Sequence, residues 1–311
     1  MKEENKSLIV SEAPHVKDKE NIKAIMWMVV VALLPAAIAG VYFFGADALF
    51  IILFSVFSAV LTEGIIQKFL KKPLTITDGS AVITGLLLGL ILPPTVPIWI
   101  PILGAIFAIS IGKHVFGGLG FNIFNPALVG RAFLVASWPI LMTRWISPDG
   151  VTGATPLGIL KLEGVKAVGY SQLFFGNIGG CIGETSALAL LIGALFLFYK
   201  KIISWRIPLT YIGTVFLFSL IFREDPIFHI LAGGLFIGAF FMATDYVTSP
   251  ITKNGKLIFG FGCGLLTVII RLYSGLPEGV MYSILLMNAL TPLIDRYTAP
   301  KPFGFVKEKK K

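Results

Sequence analysis

Residues 24–44 read AIMWMVVVALLPAAIAGVYFF, a stretch with no charged side chain. It matches the roughly 20 apolar residues that an α-helix needs to cross a bilayer core. Nine further apolar stretches follow, at approximately 48–70, 79–93, 98–117, 122–137, 182–200, 204–222, 226–244, 256–273 and 279–297. The 311 residues are 56% hydrophobic and only 14% charged, with a mean hydropathy of +0.85. An ordinary soluble domain carries about 25% charged residues. The expected fold is therefore all-α: a polytopic membrane protein with about ten transmembrane helices.

Two of the segments are short and interrupted. Pro93-Pro94 ends the third, and Asn125-Pro126 breaks the fifth. Such spans predict half-helices that line a cavity, because unpaired backbone facing lipid is costly. The segments also divide into two sets of five, at 24–137 and 182–298, separated by the 138–181 loop and flanked by tails at 1–23 and 299–311. Gly85-Leu86-Leu87-Leu88-Gly89 in the third segment matches Gly234-Leu235-Phe236-Ile237-Gly238 in the eighth. Phe124-Asn125-Pro126-Ala127-Leu128 in the fifth matches Met287-Asn288-Ala289-Leu290 in the tenth. An odd number of spans per repeat inverts the second half, so two inverted five-helix repeats with broken half-helices are expected.

The basic residues give an orientation. With the tails in the cytoplasm, all Lys and Arg residues fall on that side except Arg131, Arg144, Lys161, Lys166, Arg223 and Arg271. This asymmetry follows the positive-inside rule. It predicts a multi-pass protein of a bacterial or archaeal inner (plasma) membrane, with both termini cytoplasmic and the 138–181 loop outside. The net charge of +9 sits at segment ends and not on an amphipathic face, so nucleic acid is not an expected partner, whereas membrane lipid is. No cleavable signal sequence is expected, since the charged residues 1–23 precede an apolar run of full membrane length.

Metal chemistry is not expected. Cys181 and Cys263 form no CxxC, and an iron–sulfur cluster usually takes four thiolates. Inert packing is the first expectation for Cys181, and a role at a subunit interface is the second. His15, His114 and His229 lie in the tail and near segment ends, badly placed for a bis-histidine haem.

The loop contains Asp149-Gly150-Val151-Thr152-Gly153-Ala154-Thr155-Pro156-Leu157-Gly158. By composition it reads as a Gly/Pro turn. Its Thr152-Gly153-Ala154-Thr155 stretch also resembles the flavinylation signal of the Rnf D subunit and of the B subunit of the Na⁺-translocating NADH:quinone reductase, whose last threonine carries FMN through a phosphoester. The resemblance extends along the chain: Asp78-Gly79-Ser80 with Thr84-Gly85-Leu86, Lys113 with Phe116-Gly117-Gly118-Leu119-Gly120, Asn122 with Phe124-Asn125-Pro126-Ala127, Phe241-Met242-Ala243-Thr244-Asp245, Pro277-Glu278-Gly279, and Pro292-Leu293-Ile294-Asp295. The short N-terminal tail is more similar to the Rnf D subunit than to its quinone-reductase relative.

The resemblance implies a subunit, not catalytic alone, of a ferredoxin:NAD⁺ oxidoreductase coupled to Na⁺ or H⁺ transport. It implies covalent FMN on Thr155 as a redox relay, a flavin transferase for maturation, and Rnf subunits A, B, C, E and G as partners. A second, non-covalent flavin (riboflavin) between the half-helices is also implied. Transfer of FMN onto a hydroxyl calls for an exposed Ser or Thr, and the small Gly153 and Ala154 leave room for the ring. An NqrB-like quinone-reductase subunit and a urea-channel-like solute conduit are the alternatives.

Ionisable residues at membrane depth are usually functional. Glu63, Asp245 and Asp295 are the ion-path candidates, although the last two also read as helix-end residues in headgroup water. Arg131, after the Asn125-Pro126 break, can pair with a flavin phosphate, a carboxylate or freed carbonyls. Asn125 and Arg131 join Thr152, Gly153, Ala154 and Thr155 as candidate cofactor-binding residues. Asp78 is expected to cap the third segment.

Overall fold

The computed structural model describes residues 21–150, 152–275 and 278–300. Residues 1–20 and 301–311, which make up most of both tails, lie outside them, as do Val151, Leu276 and Pro277. The chain opens with two long helices, α1 (Ile22–Phe44) and α2 (Ala46–Phe69). Shorter helices α3 (Ser80–Leu90), α4 (Trp99–Ile109) and α5 (Pro126–Ser137) follow. A π-helical turn at Ser110–His114 extends α4. The second set is α9 (Ala187–Tyr199), α10 (Arg206–Ile221), α11 (Pro226–Leu231), α12 (Leu235–Ile237), α13 (Lys253–Tyr273) and α14 (Val280–Thr298). Another π-helical turn, Gly238–Met242, extends α12.

Among the described residues, α1, α2 and α13 are individually long and apolar enough to cross a membrane. Their outer faces carry Val31, Ile38, Phe50, Leu53, Phe57 and Leu61, all exposed. In water such a belt would be unfavourable, and in lipid it is ordinary surface. The molecule is a multi-pass membrane protein.

The eighth segment shows how sequence makes a broken span. Asp225 caps α11 by accepting from the amides of Ile227 and Phe228 at 3.0 and 3.2 Å, and Pro226 needs no donor. Ala232-Gly233-Gly234 then stops the helix, with Gly233 at φ +72°, a left-handed conformation that glycine adopts without strain.

Helices meet where small residues permit it. α1 packs on α9, α5 on α14, α2 on α3 and α4, and α10 on α13. A Cβ on Gly85 of α3 would lie 2.6 Å from Val56 Cα of α2. Polar contacts add to the packing: the Tyr211 hydroxyl meets Thr267 at 2.8 Å and Ser283 at 3.0 Å, joining α10, α13 and α14.

Between the sets, the loop folds into α6 (Pro139–Met142), α7 (Pro156–Glu163), α8 (Tyr170–Phe175) and a small ribbon of β1 (Trp145–Ile146) and β2 (Thr152–Gly153). Hydrogen bonds between connections fall into two groups. Lys72 donates to Gly117 O, Tyr246 to Ile202 O, and the Ile251 amide to Asp295. At the other end, Thr95 donates to Arg144 O, Lys166 to Asp225, and Lys161 to Ser274 O. Each bond joins connections or helix ends assigned to the same side by the alternation of segments.

Candidate functional site

Thr152 and Gly153 form β2, and Ala154 beside them is exposed. Thr155 is only 6% exposed, which corrects the expectation of an open acceptor. Thr155 is the N-cap of α7, and its Oγ1 accepts from the Gly158 amide at 3.1 Å. It faces a cavity of about 230 Å³ shared with Arg131, Trp145, Ala154, Glu278 and Tyr282.

Arg131 projects from α5 into a buried ionic cluster. Nη1 donates to Glu184 at 3.1 Å, and Nη2 donates to Glu278 at 2.6 Å and to the Cys181 thiol at 3.3 Å. Of the three expected pairings, the chain's own atoms supply the carboxylate. Cys181 is consequently more than apolar packing. Its sulfur and the Glu184 and Glu278 oxygens lie within 4.8 Å of one another, with the guanidinium already among them. One cation faces two carboxylates next to the Thr155 cavity.

Asn125 caps α5, accepting from Ala127 and Leu128 amides at 3.1 and 3.3 Å. Its own amide donates to Asn288 Oδ1 at 3.2 Å, so the two asparagines matched in sequence meet in space. Asn125 lines a different cavity, about 90 Å³, with Lys113, Phe241, Thr244 and Asp245.

Glu63 is 1% exposed on α2 and pairs with Lys113 at 2.7 Å. Lys113 also donates to Ser80 Oγ at 2.6 Å, and Ser80 in turn donates to Asp78. The N-cap of α3 is Gly79 and not Asp78 as expected; Asp78, one residue earlier, accepts the Ser80 amide at 2.8 Å. Glu63 Oε2 and both His114 ring nitrogens are buried without a hydrogen bond to the protein, although His114 Nε2 lies 3.8 Å from Glu63 Oε1. Asp245 is partly buried and accepts from Thr248 at 3.1 Å. Asp295 stands apart, accepting the Ile251 amide at 3.0 Å.

The structure therefore brings Thr155, Ala154 and Arg131 together at one cavity. Asn125 and Asp245 share another, which Lys113 connects to Glu63. Glu184 is not singled out by sequence, Glu278 enters there only within the Pro277-Glu278-Gly279 block, and Cys181 only as a packing or interface residue. Lys113 and Arg271 read as segment-end charges, yet both are buried.

The loop is fastened outside the membrane by Lys166, which meets Asp225 at 2.5 Å, and by the Tyr170 hydroxyl on the same carboxylate. Burial pushes the Asp225 carboxyl up, but these bonds and the Phe228 amide outweigh it and bring it down to about 2.

Residues 9–304 match the model of the NQR2, RnfD, RnfE family. The chain is 53% identical to the D subunit of the Na(+)-translocating ferredoxin:NAD(+) oxidoreductase complex of Acetobacterium woodii, covering 98% of each chain. It is 52% identical to the D subunit of the proton-translocating ferredoxin:NAD(+) oxidoreductase complex of Clostridium ljungdahlii, over 95% of this chain and 96% of that one. Identity to the D subunit of the ion-translocating oxidoreductase complex of Methanosarcina acetivorans is 41%, over 96% and 98%. On the extent of the match and these identities, the chain belongs to the NQR2, RnfD, RnfE family.

Proposed function

We propose that this chain is the D subunit of a redox-driven ion pump, a ferredoxin:NAD⁺ oxidoreductase of Rnf type, and that Thr155 carries FMN through a phosphoester. The observation that carries the reading is Thr155 at the mouth of α7, facing the cavity it shares with Arg131 and Glu278. The residues present fit that group. A helix N-terminus favours a phosphate. An ester oxygen keeps lone pairs, so Thr155 can still cap Gly158 once esterified. Open space beside Gly153 and the aromatic faces of Trp145 and Tyr282 suit a flat ring. Once bound, the flavin supplies the electron chemistry, while the protein supplies anchoring and charge.

The Arg131 cluster sets the field at that cavity, with its guanidinium tied to Glu184 and Glu278. On this reading Glu63, Asp245 and Asp295 are candidates for the ion path, and the buried Glu63–Lys113 pair is the part with membrane-depth charge. Relatives named for protons and for sodium are almost equally identical to this chain, so similarity does not select the ion. The second, non-covalent flavin would need the cavity beside Asn125 to expand, since about 90 Å³ is room for roughly three waters.

The matched packing of α2 on α4 and α10 on α13, with Asn125 against Asn288, supports two inverted halves. Cytoplasmic termini follow from the basic residues. Subunits A, B, C, E and G and a flavin transferase complete the proposed partners.

Expression with a flavin transferase, followed by denaturing electrophoresis, tests the attachment. The wild-type band should fluoresce as flavin, and Thr155→Ala should be dark at an equal protein level. A dark wild-type band sinks the covalent flavin. Quinone reduction by the purified complex would favour the quinone-reductase alternative, and solute flux by the chain alone would favour a conduit.

A further inference from the structure

Residues 155, 158 and 162 of α7 face the Thr155 cavity, while Leu157, Leu160 and Lys161 on the opposite face line a separate chamber of about 190 Å³. The other polar groups of this chamber are Glu224, His229 and Arg271. Arg271 is 4% exposed, at the last turn of α13. Its Nη1 donates to His229 O at 2.5 Å and its Nη2 to Ala232 O at 3.2 Å. These carbonyls end α11 at the break in the eighth segment, so one task of Arg271 is to satisfy a broken helix.

That task does not use all of it. Arg271 Nε and His229 Nε2 are both buried and make no hydrogen bond within the protein. Among the described residues, no carboxylate lies within ion-pair reach of Arg271. Glu224 is the acid of the chamber; its side chain is 38% exposed and stands 3.7 Å from His229 Nε2. A helix C-terminus offers only about half a negative charge. Lys161 brings a second cation, donating to Arg271 O at 2.7 Å. The buried Arg271 guanidinium thus faces carbonyls and not a carboxylate, whereas buried charge is normally paired.

We infer that this chamber binds a phosphate-class anion, with Arg271 Nε and the Nε2–H tautomer of His229 as inner donors and Lys161 as the outer cation. The phosphate comes either from solution or from a lipid headgroup at the same membrane face. The chamber excludes Thr155, so the inference stands independently of flavin attachment.

The full chain is reconstituted in phosphatidylcholine nanodiscs, and thermal unfolding is followed against inorganic phosphate, with chloride at equal ionic strength as the control. Saturable stabilisation of the wild type is expected, with at least tenfold weaker apparent affinity in Leu160→Glu. That substitution places a carboxylate in the chamber and leaves the Arg271–carbonyl bonds intact. R271Q should behave likewise if it folds; if it does not, Leu160→Glu alone decides. In a second arm, nanodiscs contain phosphatidylglycerol and the retained lipid is read by native mass spectrometry. Lipid retained on the wild type, lost in Leu160→Glu and displaced by phosphate, assigns the headgroup. Phosphate stabilisation without lipid retention assigns the soluble anion. Neither ligand on the wild type, or equal binding by wild type and Leu160→Glu, overturns the inference.

Discussion

Arg131 holds two carboxylates that would otherwise be incompatible with their surroundings, with the Cys181 thiol beside them, the three within 4.8 Å of one another. Removing one partner of a buried ionic set leaves uncompensated charge, which typically costs about 3–5 kcal/mol. Arg131→Met should therefore lower stability in detergent by about that amount, and adding Glu184→Gln and Glu278→Gln should recover a substantial part. Chemical unfolding of the wild type, the single variant and the triple variant checks this; no recovery in the triple variant would mean that Arg131 acts through packing alone. The Thr155 motif is readable in sequence because four adjacent residues carry it. The burial of Thr155 is not, because it depends on α7 docking against the membrane domain. Lys113 shows the same divide: by position it is a basic segment end, and only a partner 50 residues away, Glu63, reveals it as a buried charge.

Hydropathy located every long helix to within a few residues, because α1 and α2 are apolar on nearly all sides. It could not resolve the eighth segment into α11, α12 and a π-helical turn, since its Phe, Ile and Leu residues keep the stretch apolar in either arrangement. Close helix contacts are similarly silent in sequence. A Cβ on Gly193 of α9 would overlap the carbonyl oxygen of Ala32 on α1, and neither backbone can rotate away. Gly193→Ala should destabilise by about 1–3 kcal/mol despite its higher helix propensity, read as a lower unfolding temperature. A neutral or stabilising result would show that α1 and α9 separate freely. The clip between the loop and α11 predicts a pH dependence. Asp225 is depressed from 3.8 to about 2 in the folded protein, so its contribution is complete above the unfolded value and is lost as pH falls through the folded one. Amide exchange across residues 165–175, corrected for intrinsic rates, should accelerate between about pH 4 and about pH 2. Lys166→Met should show fast exchange already near about pH 6, where the wild type is protected.

At the scale of the molecule, the two groups of connections decide how the pump is read. The hydrogen bonds Lys72–Gly117 and Tyr246–Ile202 never mix with Thr95–Arg144 or Lys166–Asp225, so the scaffold has two faces. Thr155 belongs to the second face, and the basic segment ends belong mainly to the first. Moving charge between the faces is worth about 2.3 kcal/mol per elementary charge at 100 mV, so an electron carrier on one face and a buried carboxylate deeper in the membrane can be coupled electrically. The proposed coupling requires the Thr155 face to be the outer one. Single cysteines placed at the exposed positions Thr152 and Lys253 report this directly, and native Cys181 and Cys263 are buried. In intact cells, a membrane-impermeant maleimide should label Thr152→Cys, whereas Lys253→Cys should react only after permeabilisation. Reversal of that pattern would put the proposed flavin acceptor on the cytoplasmic side, and labelling of both sites in intact cells would contradict the two-faced scaffold itself.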